Sequence, residues 1–137
     1  MTRVEATEKA ARYWLERARE CLTSADDEAR AGRLAFAVNR CYYAAFYAAS
    51  AVLLVRGRRF VKHSGLRAAV HRDLVKPRLL SEDWGRFYDR LFHDRQQGDY
   101  IEFVTFEPSE VRDTVEKTSD LVRALEALVA PNRERSG

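Results

Sequence analysis

From Trp14 onward, apolar positions return at Ala18, Cys21, Leu22, Ala25 and Ala29, with charged residues filling the intervals. Steps of three and four residues predict an amphipathic helix with one face toward a core. Thr2-Arg3-Val4-Glu5 fits a capping box at its start, and Gly32 supplies a stop. The next segment, roughly Leu34 to Arg56, carries two stripes. Leu34, Val38, Tyr42, Ala45, Ala49 and Val52 form one, and Asn39, Tyr43, Phe46, Tyr47, Ser50 and Leu54 form another. A helix apolar nearly all round must be covered on more than one face. Its alanines allow neighbours to approach closely.

Gly57 ends this second helix, and Gly57 to His63 reads as a basic loop. Ser64 can cap a short third helix carrying Leu66, Ala69, Val70 and Leu74, which Lys76-Pro77 stops. Ser81 can cap a fourth, with Trp84, Tyr88, Leu91 and Arg95 on one stripe. Gly98 is expected to break it, leaving Asp99 to Val104 as a connector of strand-like composition. Pro108 suits the first turn of a fifth helix, seamed by Val111, Val115, Thr118, Val122, Leu125 and Val129. The pattern predicts an all-α, antiparallel up-and-down bundle of about five helices, the second and fourth being its central pair. One domain over residues 1–131 and a disordered tail over 132–137 complete the expected organisation.

Composition sharpens this picture. The chain has 137 residues, 46% of them hydrophobic and 33% charged, which is apolar enough for one core and exceeds the average charged share of about 25%. Six Gly and three Pro disfavour a loop-rich or small-β protein. The longest uncharged stretch, Cys41 to Val55, falls short of the roughly 20 residues a membrane span needs, so a buried core helix is expected. The charged N-terminal stretch lacks the apolar region of a secretory signal. Cys21 and Cys41 are therefore expected to stay reduced in a cytoplasm. Their spacing to the three His fits no metal motif, so neither metal nor cofactor is expected. Net charge is +3, made with 20 Arg against 4 Lys. Arginine is the better phosphate ligand, although a GC-rich genome produces the same excess.

Three polar positions interrupt the apolar pattern. Arg95 lies on a core stripe, where it either forms a buried ion pair, with Asp99 one turn on, or faces a cleft and binds phosphate. Arg40 stands beside Asn39 at the polar end of the second helix, fit for an ion pair with the first helix or for an anion. His63 precedes the expected helix cap and should be exposed and able to titrate. His71 and His93 read as surface positions. Tyr42, Tyr43 and Tyr47 read as core or interface aromatics whose hydroxyls reach polar partners, with base stacking as the functional alternative.

Asn39-Arg40-Cys41-Tyr42-Tyr43-Ala44-Ala45-Phe46, Lys62-His63-Ser64-Gly65 and Arg95-Gln96-Gln97-Gly98-Asp99-Tyr100 occur in this order. Together they resemble the small stand-alone prokaryotic branch of the HEPN family (higher eukaryotes and prokaryotes nucleotide-binding), whose blocks run N-R-x-Y-Y-A-x-F, H-S-G and R-x-x-A-D-Y. The resemblance covers about residues 8 to 130. It implies a helical bundle that dimerises through the faces carrying these motifs. It also implies a metal-independent ribonuclease of the toxin–antitoxin or defence type, whose motif pairs an arginine with a histidine after four to six intervening residues. Arg95 matches the arginine, but Tyr100 follows at the four-residue spacing and Glu102 at the six. The implied activity is thus weakened, with Tyr100 as a proton donor and His63 as a stand-in base. Arg40, Asn39, Tyr43 and Asp99 are the implied nucleotide- or RNA-binding residues. The competing implication is a non-catalytic nucleotide- or partner-binding module paired with a minimal nucleotidyltransferase, for which Tyr100 is the expected adenylylation acceptor.

Overall fold

The computed structural model describes residues 1–129. The expected tail, residues 132–137, lies outside them. Five α-helices follow in chain order: α1 (Arg3–Arg30), α2 (Leu34–Val55), α3 (His63–Ala69), α4 (Glu82–Tyr100) and α5 (Pro108–Val129). The described residues contain no strand. Thr2 caps α1, its Oγ1 accepting from the Glu5 backbone N–H at 3.1 Å. Ser81 does the same for α4 through the Trp84 N–H at 3.2 Å. Each cap satisfies a backbone donor that the helix itself leaves unpaired.

α2 runs through the middle of the molecule. Cys41, Tyr42, Ala45, Ala48, Ala49 and Val52 are fully buried along it. By length and composition α2 is apolar enough to cross a membrane, but here α1, α4 and α5 all pack on it. The central pair differs from the expectation: α1, not α4, is the most extensive neighbour of α2. The short Ala31–Arg33 link makes α1 and α2 an antiparallel hairpin along nearly their whole lengths. Side-chain size supports that closeness, since α1 contributes Ala11, Ala18 and Ala25 to the core while α2 contributes its own alanines.

Two helix boundaries also differ. α3 begins at His63 with Lys62 at the cap position, so Ser64 lies inside the helix and does not cap it. Gly98 does not break α4, which continues through Asp99 and Tyr100. The Phe106 ring packs over Gly98, where an added Cβ would stand 3.2 Å from it. That glycine therefore serves close packing and not chain reversal. α3 runs on into a π-helical stretch, Val70–Val75, whose Val70 and Leu74 are buried in the core. The α3–π unit packs on both α2 and α4. This brings the His63 end of α3 against the tyrosines of α2.

Candidate functional site

Arg95 sits on the inner face of α4 and is only 6% exposed. Its guanidinium carbon lies 4.6 Å over the Tyr42 ring, 5.8 Å from Tyr43 and 5.9 Å from Phe92. Its Nη1 is 3.7 Å from the Asp99 carboxylate, the one-turn ion pair. Arg95 therefore does not lie in an open cleft. The charge is accommodated by ring faces, which attract cations electrostatically, and by one carboxylate at the protein surface. Among the described residues its Nε has no hydrogen-bond acceptor.

Asp99 links this arginine to the start of α2. Asn39 Nδ2 donates to both Asp99 carboxylate oxygens, at 3.1 and 3.3 Å. Arg40 Nη1 donates to Asn39 Oδ1 at 2.6 Å, and its Nε donates to Ser24 of α1 at 3.2 Å. No carboxylate comes within ion-pair distance of Arg40 among the described residues, unlike the expected pairing with α1.

His63 is not the exposed loop residue its surroundings in sequence suggested. It opens α3 and is partly buried, its ring centroid 4.6 Å from Phe46, 5.6 Å from Tyr42 and 5.7 Å from Tyr43. Its Nδ1 is 2.7 Å from the Tyr42 hydroxyl. Burial, then the nearby Arg95 charge, pushes the imidazole pKa below its ordinary value. It is neutral at neutral pH. When Nδ1–H donates to the phenol oxygen, Nε2 keeps its lone pair and can take a proton. Tyr42 is a steady partner because burial pushes its pKa up to about 12.

His63, Tyr42, Tyr43 and Arg95 thus form one aromatic–cationic cluster where α2, α3 and α4 meet. A sequence model of the HEPN domain matches residues 11–128. The chain belongs to the HEPN family. It is 46% identical over 122 residues to a protein from Thermotoga maritima named "UPF0332 protein", covering 89% of this chain and 92% of that one. It is 25% identical over 103 residues to "Putative toxin MJ0142" from Methanocaldococcus jannaschii, covering 75% and 70%.

Of the residues singled out in this HEPN sequence, Asn39, Arg40, Tyr43, His63, Arg95 and Asp99 are brought together. Tyr100 is not. It lies in α4, the residue is 70% exposed, and its phenol makes no hydrogen bond or ring contact among the described residues. Glu102 is exposed too. Sequence reasoning read Tyr42 as a core or interface aromatic and missed that it ties His63 to Arg95.

It also missed a second charged group on the flank of the cluster. Arg67 Nε donates to Asp89 at 2.7 Å, and His71 Nε2 meets the same carboxylate oxygen at 2.8 Å, so His71 is not simply a surface residue. Burial opposes the Asp89 charge, but these two bonds outweigh it and hold its carboxyl below the usual range. The Arg67 guanidinium lies 4.7 Å over Phe92, on which Arg95 also rests. Arg67 and His71 are four positions apart, about one helical turn, and that spacing was the available signal.

Proposed function

We propose that this HEPN protein is a toxin-type, metal-independent endoribonuclease in which Arg95 and His63 act together. One observation carries the reading: His63 and Arg95 pack on the same two rings, Tyr42 and Tyr43. The cluster supplies the two elements such cleavage needs first, a neutral base and a fixed cation. The RNA 2′ oxygen bonds to phosphorus as its proton passes to His63 Nε2. Arg95 balances the charge gathering on the phosphoryl oxygens. The P–O5′ bond then breaks, the 5′ oxygen takes a proton from water, and a 2′,3′-cyclic phosphate remains. His63 fills the place of the histidine that the α4 motif lacks, and Tyr42 sets its tautomer. Cleavage of RNA in the presence of chelator, by the native protein and by Arg95 and His63 variants, is the test.

A homodimer fits the same reading. Phe36 of α2, Tyr100 at the end of α4, and Ile101 and Phe103 just beyond it are all more than half exposed. Pairing two copies would cover these apolar side chains.

A non-catalytic role beside a minimal nucleotidyltransferase is the second reading, favoured by the exposure of Tyr100. An accessible phenol is open to nucleotide transfer, whereas the buried Tyr42 is not.

A further inference from the structure

A charged recess opens between α1 and α2, a cavity of about 480 Å³ bordered by Arg17, Glu20, Ser24, Arg40, Tyr43 and Tyr47. It has two arginines and a single carboxylate on its border. Neither Arg17 nor Arg40 is within ion-pair distance of any acid among the described residues. Arg17 is held instead by phenols: Nη1 donates to Tyr13 at 3.1 Å and Nη2 to Tyr47 at 3.3 Å. Its guanidinium carbon lies 5.0 Å over the Tyr47 ring. These contacts orient the cation without neutralising it.

The rings around it are continuous. Tyr13 meets Trp14 edge-on at 5.0 Å, and Trp14 stacks on Tyr47 at 5.3 Å. Tyr47 lies 5.9 Å from Tyr43, and Tyr43 lies 5.2 Å from Tyr42, over which Arg95 sits. An aromatic track therefore runs from the exposed Tyr13 on α1, past two unpaired arginines, to the His63–Arg95 cluster. Every nucleobase has a face that can stack on such rings, and unpaired arginines along the way match phosphates.

We propose that this track binds single-stranded RNA beyond the scissile bond, with Arg17 and Arg40 on phosphate and Tyr13 and Tyr47 against bases. The choice of RNA as ligand rests on the ribonuclease reading, but the binding does not require cleavage. The test uses a fluorescein-labelled 2′-O-methyl RNA of about 12 nucleotides, within the span of known single-strand sites. Such an RNA lacks the free 2′-hydroxyl and is not cut by the proposed chemistry. Anisotropy titrations over a range of salt compare the native protein with Arg17→Gln, Arg17→Lys and Arg19→Gln. Arg19 pairs with Glu126 and lies off the track, so it controls for the loss of one positive charge from α1.

Arg17→Gln should weaken binding about tenfold, the loss of one charge-assisted contact. The salt slope should fall by about 0.7, as for one single-strand phosphate contact. Arg17→Lys should keep part of the affinity, and Arg19→Gln should stay within about twofold of native. Equal effects of Arg17→Gln and Arg19→Gln would reduce the track to diffuse charge and overturn the proposal. So would equal affinity for a duplex of the same sequence. A loss of dimer mass by light scattering in Arg17→Gln would identify the face as a subunit interface instead. Native protein that binds the 2′-O-methyl RNA yet leaves ordinary RNA intact contradicts the ribonuclease reading alone.

Discussion

The Arg95 guanidinium lies 4.6 Å over the Tyr42 ring, and the hydroxyl of that ring is 2.7 Å from His63 Nδ1. One buried phenol from α2 thus positions a cation from α4 and a base from α3. Burial first, and then the Arg95 charge, disfavour a positive charge on His63.

Cleavage should therefore have an acidic limb below the ordinary histidine range. The folded-state pKa of His63 is depressed, so the unfolded chain binds the extra proton first as pH falls. Folding stability must then rise with pH between that depressed value and about 6.5, and level off above it. A pH–rate profile and thermal melts across this window check both statements. His63→Gln should remove the limb from the rate and flatten the melts.

If RNA phosphate binds at Arg95 as proposed, it must compete there with Asp99, whose carboxylate is 3.7 Å from Nη1. Asp99→Ala should raise affinity for RNA several-fold at low salt. It also deletes two Asn39 hydrogen bonds and the carboxylate near a buried cation, at a cost of about 1–2 kcal/mol in stability. RNA titrations beside urea denaturation separate the effects. Unchanged affinity would mean that phosphate does not reach Arg95.

Gly85 is where α4 meets the π-helical stretch. A Cβ there would stand 2.9 Å from Val75 Cγ2 and 3.2 Å from the His71 ring. Gly85→Ala should destabilise by about 1–3 kcal/mol through overpacking, despite the better helix propensity of alanine. Denaturant melts read it directly. A stabilised variant would show that the π-helical stretch yields easily.

The helices were legible because their information is local. Capping residues Thr2 and Ser81, the apolar periods and Pro108 fix ends and faces within one or two turns of chain. The second helix announced its central place by having no polar side. Its chief partner was not legible, since α1 and α4 both offer apolar stripes. Choosing between them depends on the small-residue fit of α1 along the full length of α2. Gly98 misled because its role is close contact with Phe106, a residue beyond the helix end. The candidate site was legible in membership but not in arrangement. Arg95, Asp99, Asn39 and His63 stood out by residue type, whereas the junction at Tyr42 exists only after three helices pack. Arg17 sits among ordinary surface arginines, and only its phenol contacts distinguish it.

Tyr100 carries the prediction about a partner. If a minimal nucleotidyltransferase acts on this protein, co-expression should add the mass of AMP, and Tyr100→Phe should abolish the shift. The exposure of this side chain allows the transfer without unfolding α4. The added phosphate and bulk would also stand at the apolar side chains proposed for dimerisation. Light scattering of the modified form should therefore show a smaller mass. Modification at another tyrosine would contradict the assignment.

The decisive measurement is RNA cleavage by purified protein in excess chelator, comparing native with Arg95→Gln and His63→Gln at matched helicity. Glutamine is preferable to alanine at Arg95, because that side chain is buried and truncation would leave a cavity. Native protein should cut single-stranded RNA to 2′,3′-cyclic phosphate ends, unaffected by the chelator. Each variant should lose about 10²-fold or more in rate while keeping its circular dichroism spectrum. Folded native protein that cuts no RNA, or variants that cut as fast as native, would contradict a ribonuclease built on His63 and Arg95.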